Sequence, residues 1–415
     1  MMKLLMIADD FTGAIDSGVQ FSKNNIPTCV LTDAQADFAG LDPSLQVLVL
    51  DTETRHLPAA EAHDLIYQVV QRAVAAGIPY IYKKTDSVLR GNIGAELAAV
   101  LEASGEDSLP FVPAYPQNGR ITRDGVHYVQ GTPVAESVFG QDPFEPVRFS
   151  RIDQIIAQQT AVPAADKTQT TSGIRIFDAE TDQDLRKIGT ELSEAGLHIS
   201  AGCAGFASVV AEILPLERRP RPTEALETSV FVVCGSLNPV TLKQLDCAEQ
   251  SGFLRFRLTP EEKLREDWMD SPACEKRLEE WLELAAKGKK CILDSNDADG
   301  NESTFRYMEE QNLSISDARI GISRTLGRLV KRLLDRGLEA TLFCSGGDTL
   351  LAVMREMGTT QILPVREESP GIVRSVFTYR GKKYHVISKS GGFGEPDLLN
   401  NLTSQIQAVK EDIKC

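Results

Sequence analysis

Residues 83–92, Lys83-Lys84-Thr85-Asp86-Ser87-Val88-Leu89-Arg90-Gly91-Asn92, hold the densest mixture of chemistry-bearing side chains in the sequence. Three cations, a carboxylate and two hydroxyls separate a strand-like run, Tyr80–Lys84, from a helix expected near Ile93. A loop that only connects two elements needs no such mixture. Lys84 and Arg90 suit an anionic ligand, Ser87 suits a hydroxylated one, and Asp86 can accept a proton. The flanking cations predict that Asp86 stays ionised. A second group, Asp9-Asp10-Phe11-Thr12-Gly13, follows the first strand-like segment. One Asp would cap the next helix, but two adjacent carboxylates exceed that need and suit substrate hydroxyls. Arg55 follows the apolar run Val47–Asp51 and offers the planar fork that clamps a carboxylate, although a solvated surface arginine has the same sequence signature.

A different chemistry is suggested further along. Ser345-Gly346-Gly347-Asp348-Thr349 stands between a strand at Ala340–Cys344 and a helix expected from about Leu350. Adjacent glycines let backbone N–H groups approach an anion, and a helix start adds a favourable dipole. Lys389–Asp397, which contains Gly391-Gly392-Phe393-Gly394, and the Gly235-Ser236 turn have a similar character. Gly347 and Gly392 are the positions expected to need positive φ or close backbone approach. Three such turns in one half make a nucleotide site a reasonable reading. The P-loop, dinucleotide and G-x-S-x-G sequences are all absent. The histidines form no metal motif; His127, in a hairpin, stands out among them, with a satisfied structural role expected. Trp268 and Trp281 read as packing residues.

These loops need a scaffold, and the strand-like and helix-like segments alternate as in an α/β protein. At 415 residues the chain exceeds one ordinary core, so two domains are expected, 1–220 and 229–415. The boundary falls in Pro215–Glu227, rich in proline and charge. The expected architecture is two α/β domains with mainly parallel sheets and a cleft between them. A formal charge of −15 argues against a nucleic-acid face and against long-range steering of anions. Any bound anion must therefore be held by a few local cations and amides. No apolar run approaches a membrane span, no signal-peptide pattern opens the chain, and eight cysteines fall singly, which together lead us to expect a cytoplasmic protein. Homo-oligomer formation stays open.

Taken together, Ile7–Gly18, Lys83–Leu97, Pro113–Ser137, Val232–Thr241, Cys344–Val353 and Ile387–Leu399 resemble the four-carbon acid sugar kinase family, in order across nearly the whole chain. The resemblance implies an N-terminal acid-binding domain, a C-terminal ATP-binding domain, and phosphorylation of the C4 hydroxyl of D-threonate, D-erythronate or a 3-oxo-tetronate. Asp9, Asp10, Arg55, Lys84, Asp86, Ser87 and Arg90 would then face the acid, with Asp86 first and Asp10 second as proton acceptor. Ser236, Ser345, Gly346, Gly347, Asp348, Thr349, Gly391, Gly392, Phe393 and Gly394 would face ATP. Mg²⁺ is expected with ATP, held mainly by phosphates and water, with Asp348 or Asp397 undecided as a protein ligand. A non-catalytic sugar-acid and nucleotide sensor and an NAD-dependent dehydrogenase are the rival readings.

Overall fold

The computed structural model describes residues 2–142, 145–219, 226–227 and 229–414, with the backbone alone for 407–414. The chain divides into two compact units, Met1–Arg221 and Pro222–Cys415. Part of the expected linker, 220–225, lies outside the described residues.

In the first unit the elements run β1 (Leu4–Ala8), α1 (Phe11–Ser22), β2 (Thr28–Leu31), β3 (Val47–Asp51), α2 (Ala59–Ala75), β4 (Tyr80–Lys84), α3 (Ile93–Ser104) and β5 (Ser108–Val112). A small antiparallel sheet of β6 (Arg120–Arg123), β7 (Val126–Val129) and β8 (Thr132–Pro133) follows. The unit closes with α4 (Ile152–Ala157), β9 (Ala164–Asp166), β10 (Gly173–Ile176), α5 (Asp182–Glu194), β11 (Ile199–Gly202) and α6 (Ala204–Ile213). The main sheet is parallel, in the order β2-β3-β1-β4-β11-β5-β10-β9. Every residue of β1, β2 and β3 is buried, as expected for strands covered by helices on both faces. Helix α2 turns Ala62, Ile66, Val69, Val70 and Ala73 inward, the stripe that a 3.6-residue period produces. Asp124 and Gly125, at φ 52° and 71°, make the tight β6–β7 turn that their sequence predicts.

The second unit contains β12 (Val230–Cys234), α7 (Pro239–Gln250), β13 (Leu254–Arg257), α8 (Pro260–Leu264), α9 (Pro272–Ala286), β14 (Cys291–Asp294), α10 (Glu302–Glu310) and α11 (Ile315–Asp335). Then come β15 (Thr341–Ser345), α12 (Gly347–Met357), β16 (Gln361–Ser369), β17 (Ile372–Tyr379), β18 (Lys382–Lys389) and α13 (Leu398–Lys414). The strand order is β13-β14-β12-β15-β18-β17-β16; β16, β17 and β18 form an antiparallel meander that the sequence reading did not resolve. Its core packs Val230, Val232, Leu245, Phe253, Phe343 and Leu402 together. Trp281 is fully buried in α9, whereas Trp268 lies in a short 3₁₀ turn, Glu266–Asp270. Helix α12 begins three residues earlier than expected, so Asp348 and Thr349 occupy its first turn.

Both units set their first strand between neighbours reached on opposite sides: β1 between β3 and β4, and β12 between β14 and β15. Such reversals leave a crevice beyond the strand ends, where open α/β sheets bind ligands.

Candidate active site

Strand register brings the acidic and basic loops of the first unit together. Ala8 pairs with both Asp51 and Lys84, so the residues following all three strands emerge side by side. Arg55 enters from the β3 loop. Its Nε lies 2.7 Å from Asp9 Oδ2, and its terminal nitrogens lie 2.9 Å from Asp10 Oδ2 and 2.7 Å from Asp10 Oδ1. Lys84 Nζ completes the group at 3.3 Å from Asp9 and 3.1 Å from Asp10. Asp10 also accepts from the Gly13 amide at 3.2 Å, so it caps α1 and serves the polar cluster at once. Glycine at position 13 leaves room for Lys84 Nζ, because a Cβ there would displace it.

Asp86 sits at the other side of Arg55, 3.7 Å from its guanidinium. Its Oδ2 accepts from the amides of Val88 and Arg90 and from Arg90 Nε, and its Oδ1 accepts from a terminal Arg90 nitrogen. Arg90 continues to Asp142 at 3.6 Å and lies over the Phe139 ring. Ser87 is half-buried, and its carbonyl accepts from His127 Nε2 at 2.9 Å. Beneath the cluster, fully buried Lys83 pairs with Glu96 at 2.9 Å and donates to the carbonyls of Ile7 and Lys84. That support is not legible in the sequence, where Lys83 is one of three cations in the loop and has no assigned role.

Burial raises the energy of every charge here, yet the partners outweigh it. For Asp9, burial pushes upward, but Arg55 and then Lys84 hold the carboxyl well below its ordinary range. Asp86 is likewise pushed up by burial and held well below the carboxylate range by Arg90 and Arg55. Burial opposes the Lys84 charge, and Asp10 and Asp9 keep the ammonium above the usual lysine range. Asp51 goes the other way: burial, then Glu53 and Asp10, raise it well above its ordinary value. Arg55, Lys84 and Arg90 are thus matched by Asp9, Asp10 and Asp86. Removing one partner of such a buried network costs about 3–5 kcal/mol.

In the second unit Cys234, Ser345 and Lys389 stand in register at the ends of β12, β15 and β18. The three glycine-bearing turns therefore leave neighbouring strands. A Cβ on Gly235 would come within 2.6 Å of Thr349 Oγ1, and one on Gly391 within 3.6 Å of Ser236 Oγ. Ser236 Oγ accepts from the Asn238 amide at 3.2 Å, and the Ser236 carbonyl accepts from Asn296 Nδ2 at 3.2 Å. Lys389, which opens the third loop but has no role assigned from sequence, is buried and bonds Thr241 Oγ1 and the Gly391 carbonyl, both at 2.9 Å. Burial lowers this ammonium to about 8. Gln244 Nε2 fixes the same loop through the carbonyls of Phe393, Gly394 and Glu395. Positive φ falls on Gly346 (103°) and Gly394 (85°), not on Gly347 or Gly392. Gly347 is already helical, and a Cβ on Gly392 would meet only Asn238 Nδ2, at 3.7 Å.

A nucleotide fits this edge on two counts. Buried Ser345 Oγ has no hydrogen-bond partner among the described residues, and the α12 amides open at Gly346 beside it. Asp348 is exposed and paired with Arg319 at 3.7 Å. The described residues contain no grouping of three or more metal-ligating side chains. Nor is any described helix long and apolar enough to cross a membrane.

Comparison with known proteins agrees with this division. Residues 4–210 match a sugar-binding N-terminal domain and residues 231–399 a nucleotide-binding C-terminal domain. The chain is 30% identical to a D-threonate kinase of Salmonella typhimurium, over 96% of this chain and 97% of the relative. It is 30% identical to a D-threonate kinase of Bordetella bronchiseptica, over 98% and 97%. It is 26% identical to a D-erythronate kinase of Heliobacterium modesticaldum, over 96% and 95%. A crystal structure of a Haemophilus influenzae protein, HI1011, shares the fold at a TM-score of 0.72 and 20% identity, covering 97% of this chain and 99% of that one. The chain belongs to the four-carbon acid sugar kinase family. Its class is therefore that of a carbohydrate kinase using a nucleotide.

Proposed function

We propose that this protein transfers the γ-phosphoryl group of ATP to the C4 hydroxyl of a four-carbon sugar acid in the cytoplasm, with D-threonate the first substrate and D-erythronate or a 3-oxo-tetronate next. The observation that carries the reading is the buried Asp9–Asp10–Arg55–Lys84–Asp86–Arg90 network at the carboxyl ends of β1, β3 and β4. Carboxylates paired with cations in this way accept strong hydrogen bonds from substrate hydroxyls. The names of the full-length relatives support the substrate class.

Phosphoryl transfer needs alignment and charge neutralisation more than covalent chemistry from the protein. Asp10 and Asp86 would orient the acceptor hydroxyl. Asp10 is the more accessible, with its side chain 24% exposed against 10% for Asp86. We therefore favour Asp10 as proton acceptor and Asp86 as the anchor of Arg90. The Gly346–Thr349 helix start, Ser236, Ser345 and the Gly391–Gly394 loop would hold the phosphates. Mg²⁺ would supply charge neutralisation between the phosphates, held chiefly by them and by water.

Coupled ADP release across D-threonate, D-erythronate, 3-oxo-tetronates and neutral tetroses tests the reading. Turnover is expected with the acids and little with the neutral sugars. Equal turnover of both, or binding of acid and ATP without ADP formation, would reject it.

A further inference from the structure

Every cation that the sequence reading assigned to the acid already has a carboxylate partner within the network. Arg120 differs. It opens β6, half-buried, and makes no ion pair among the described residues. Among the described residues its buried Nε has no hydrogen-bond partner, and one terminal nitrogen is engaged, by the Asn118 carbonyl at 2.7 Å.

The small sheet aims this residue. Thr122 pairs with His127, and Arg120 with Val129, so all four side chains share one face of the hairpin. Thr122, His127 and Val129 are buried, whereas Arg123, next along β6, is exposed on the opposite face. His127 ties the buried face to the Asp86 loop: Nδ1 is 3.2 Å from Thr122 Oγ1, and Nε2 donates to the Ser87 carbonyl. Backbone bonds between Tyr115 and Arg120, at 2.7 and 3.1 Å, and the left-handed Gly119 fix the start of the strand. The guanidinium thus stands on the side of the hairpin that meets Asp86 and Ser87. Burial lowers its affinity for a proton, and Asp86 opposes that shift.

We infer that Arg120 receives the substrate carboxylate. The inference rests on the kinase reading and deepens it by separating the two ends of the substrate. The paired network orients hydroxyls, and the Arg120 guanidinium, with no ion pair among the described residues, reads the acid. A half-buried cation without an ion pair gains most from a ligand that supplies one, and the fork geometry favours a carboxylate over a lone hydroxyl.

Steady-state ADP release from the intact protein, Arg120→Met, Arg120→Lys and Arg123→Met tests it, with D-threonate and its carboxamide as ligands. Arg120→Met is expected to raise the D-threonate KM about 10- to 100-fold, leave the ATP KM within about twofold, and leave the carboxamide affinity unchanged as substrate or competitor. Preference for acid over amide then collapses. Arg120→Lys should fall between, and serves if the Met variant does not fold. Arg123→Met should match the parent. A D-threonate KM within about twofold in Arg120→Met overturns the inference while the kinase reading stands. Equal losses for acid and amide would make Arg120 a framework residue, and a raised ATP KM would make it a phosphate ligand; either result overturns the inference. If the parent turns over no four-carbon acid, the kinase reading fails and the inference fails with it.

Discussion

Asp86 and Arg90 close a tight loop on each other: Asp86 Oδ2 accepts from the Arg90 amide at 3.2 Å and from its Nε at 3.0 Å, while Oδ1 lies 3.2 Å from a terminal nitrogen. With the Val88 amide also bound, this carboxylate is committed to holding its own turn. Leu89 between them adopts φ 66°, a conformation a β-unbranched residue keeps only where the surroundings impose it.

The first prediction follows from that commitment. Asp10→Asn should lower kcat by about 10²–10⁴-fold with the ATP KM little changed, as loss of general-base assistance does. Asp86→Asn should chiefly raise the acid KM, because the amide cannot hold Arg90 by charge. Steady-state kinetics of both variants decide the matter. A larger kcat loss in Asp86→Asn would return the proton-accepting role to Asp86.

Gly13→Ala offers a test that changes no charge. The new Cβ would push Lys84 Nζ from its place and sit 2.5 Å from Asp10 Oδ1. Acid binding should fall by at least about tenfold, since a charge-assisted contact is worth about 1.5–3 kcal/mol. ATP binding, measured by calorimetry without the acid, should be unaffected.

In the second unit the expected pattern is set by backbone conformation. Gly346→Val puts a β-branched residue at φ 103°, and Gly394→Val does so at φ 85°. Both should weaken ATP binding or the fold around it, at about 1–3 kcal/mol of strain. Gly392→Ala should be close to neutral, because its φ is ordinary and its Cβ would have room. Calorimetric ATP affinities that fell equally for Gly392→Ala and Gly346→Val would contradict this.

His127 gives a pH prediction. Burial is the main cause that lowers its folded pKa from 6.5 to about 4; the Ser87 carbonyl opposes the shift and Arg120 adds to it. The native state therefore keeps the ring neutral while the unfolded chain takes up a proton. Stability from this group is complete above about pH 6.5 and is lost as pH falls towards 4, by about 3 kcal/mol at most. Chemical denaturation of the parent and His127→Gln at pH 7 and pH 5 should show a smaller loss in the variant. Equal losses would mean that His127 is protonated in the folded state.

Much of this protein was legible in the order of residue types. Alternating apolar runs and amphipathic stretches gave α/β units because strands covered on both faces must be apolar throughout, as β1 and β3 are. Asp124-Gly125 announced its turn because few other pairs tolerate positive φ at both positions. The candidate loops could be picked out because a loop that only connects two elements needs no such mixture of charged and hydroxyl side chains. Only the tertiary structure decided who pairs with whom. Arg55 reaches Asp9 across an interval of 46 residues because β1 and β3 are neighbours in register, and no local spacing encodes that. The same register put Lys83 beneath the network and Lys84 within it, since successive side chains of a strand face opposite ways. Lys389 was hidden for a related reason: its partners, Thr241 and the carbonyls of its own loop, define its role only once β12, α7 and β18 stand together. Arg120 looked like one cation among many in sequence. It differs from the others because folding supplied Arg55, Lys84 and Arg90 with carboxylates and supplied Arg120 with none among the described residues.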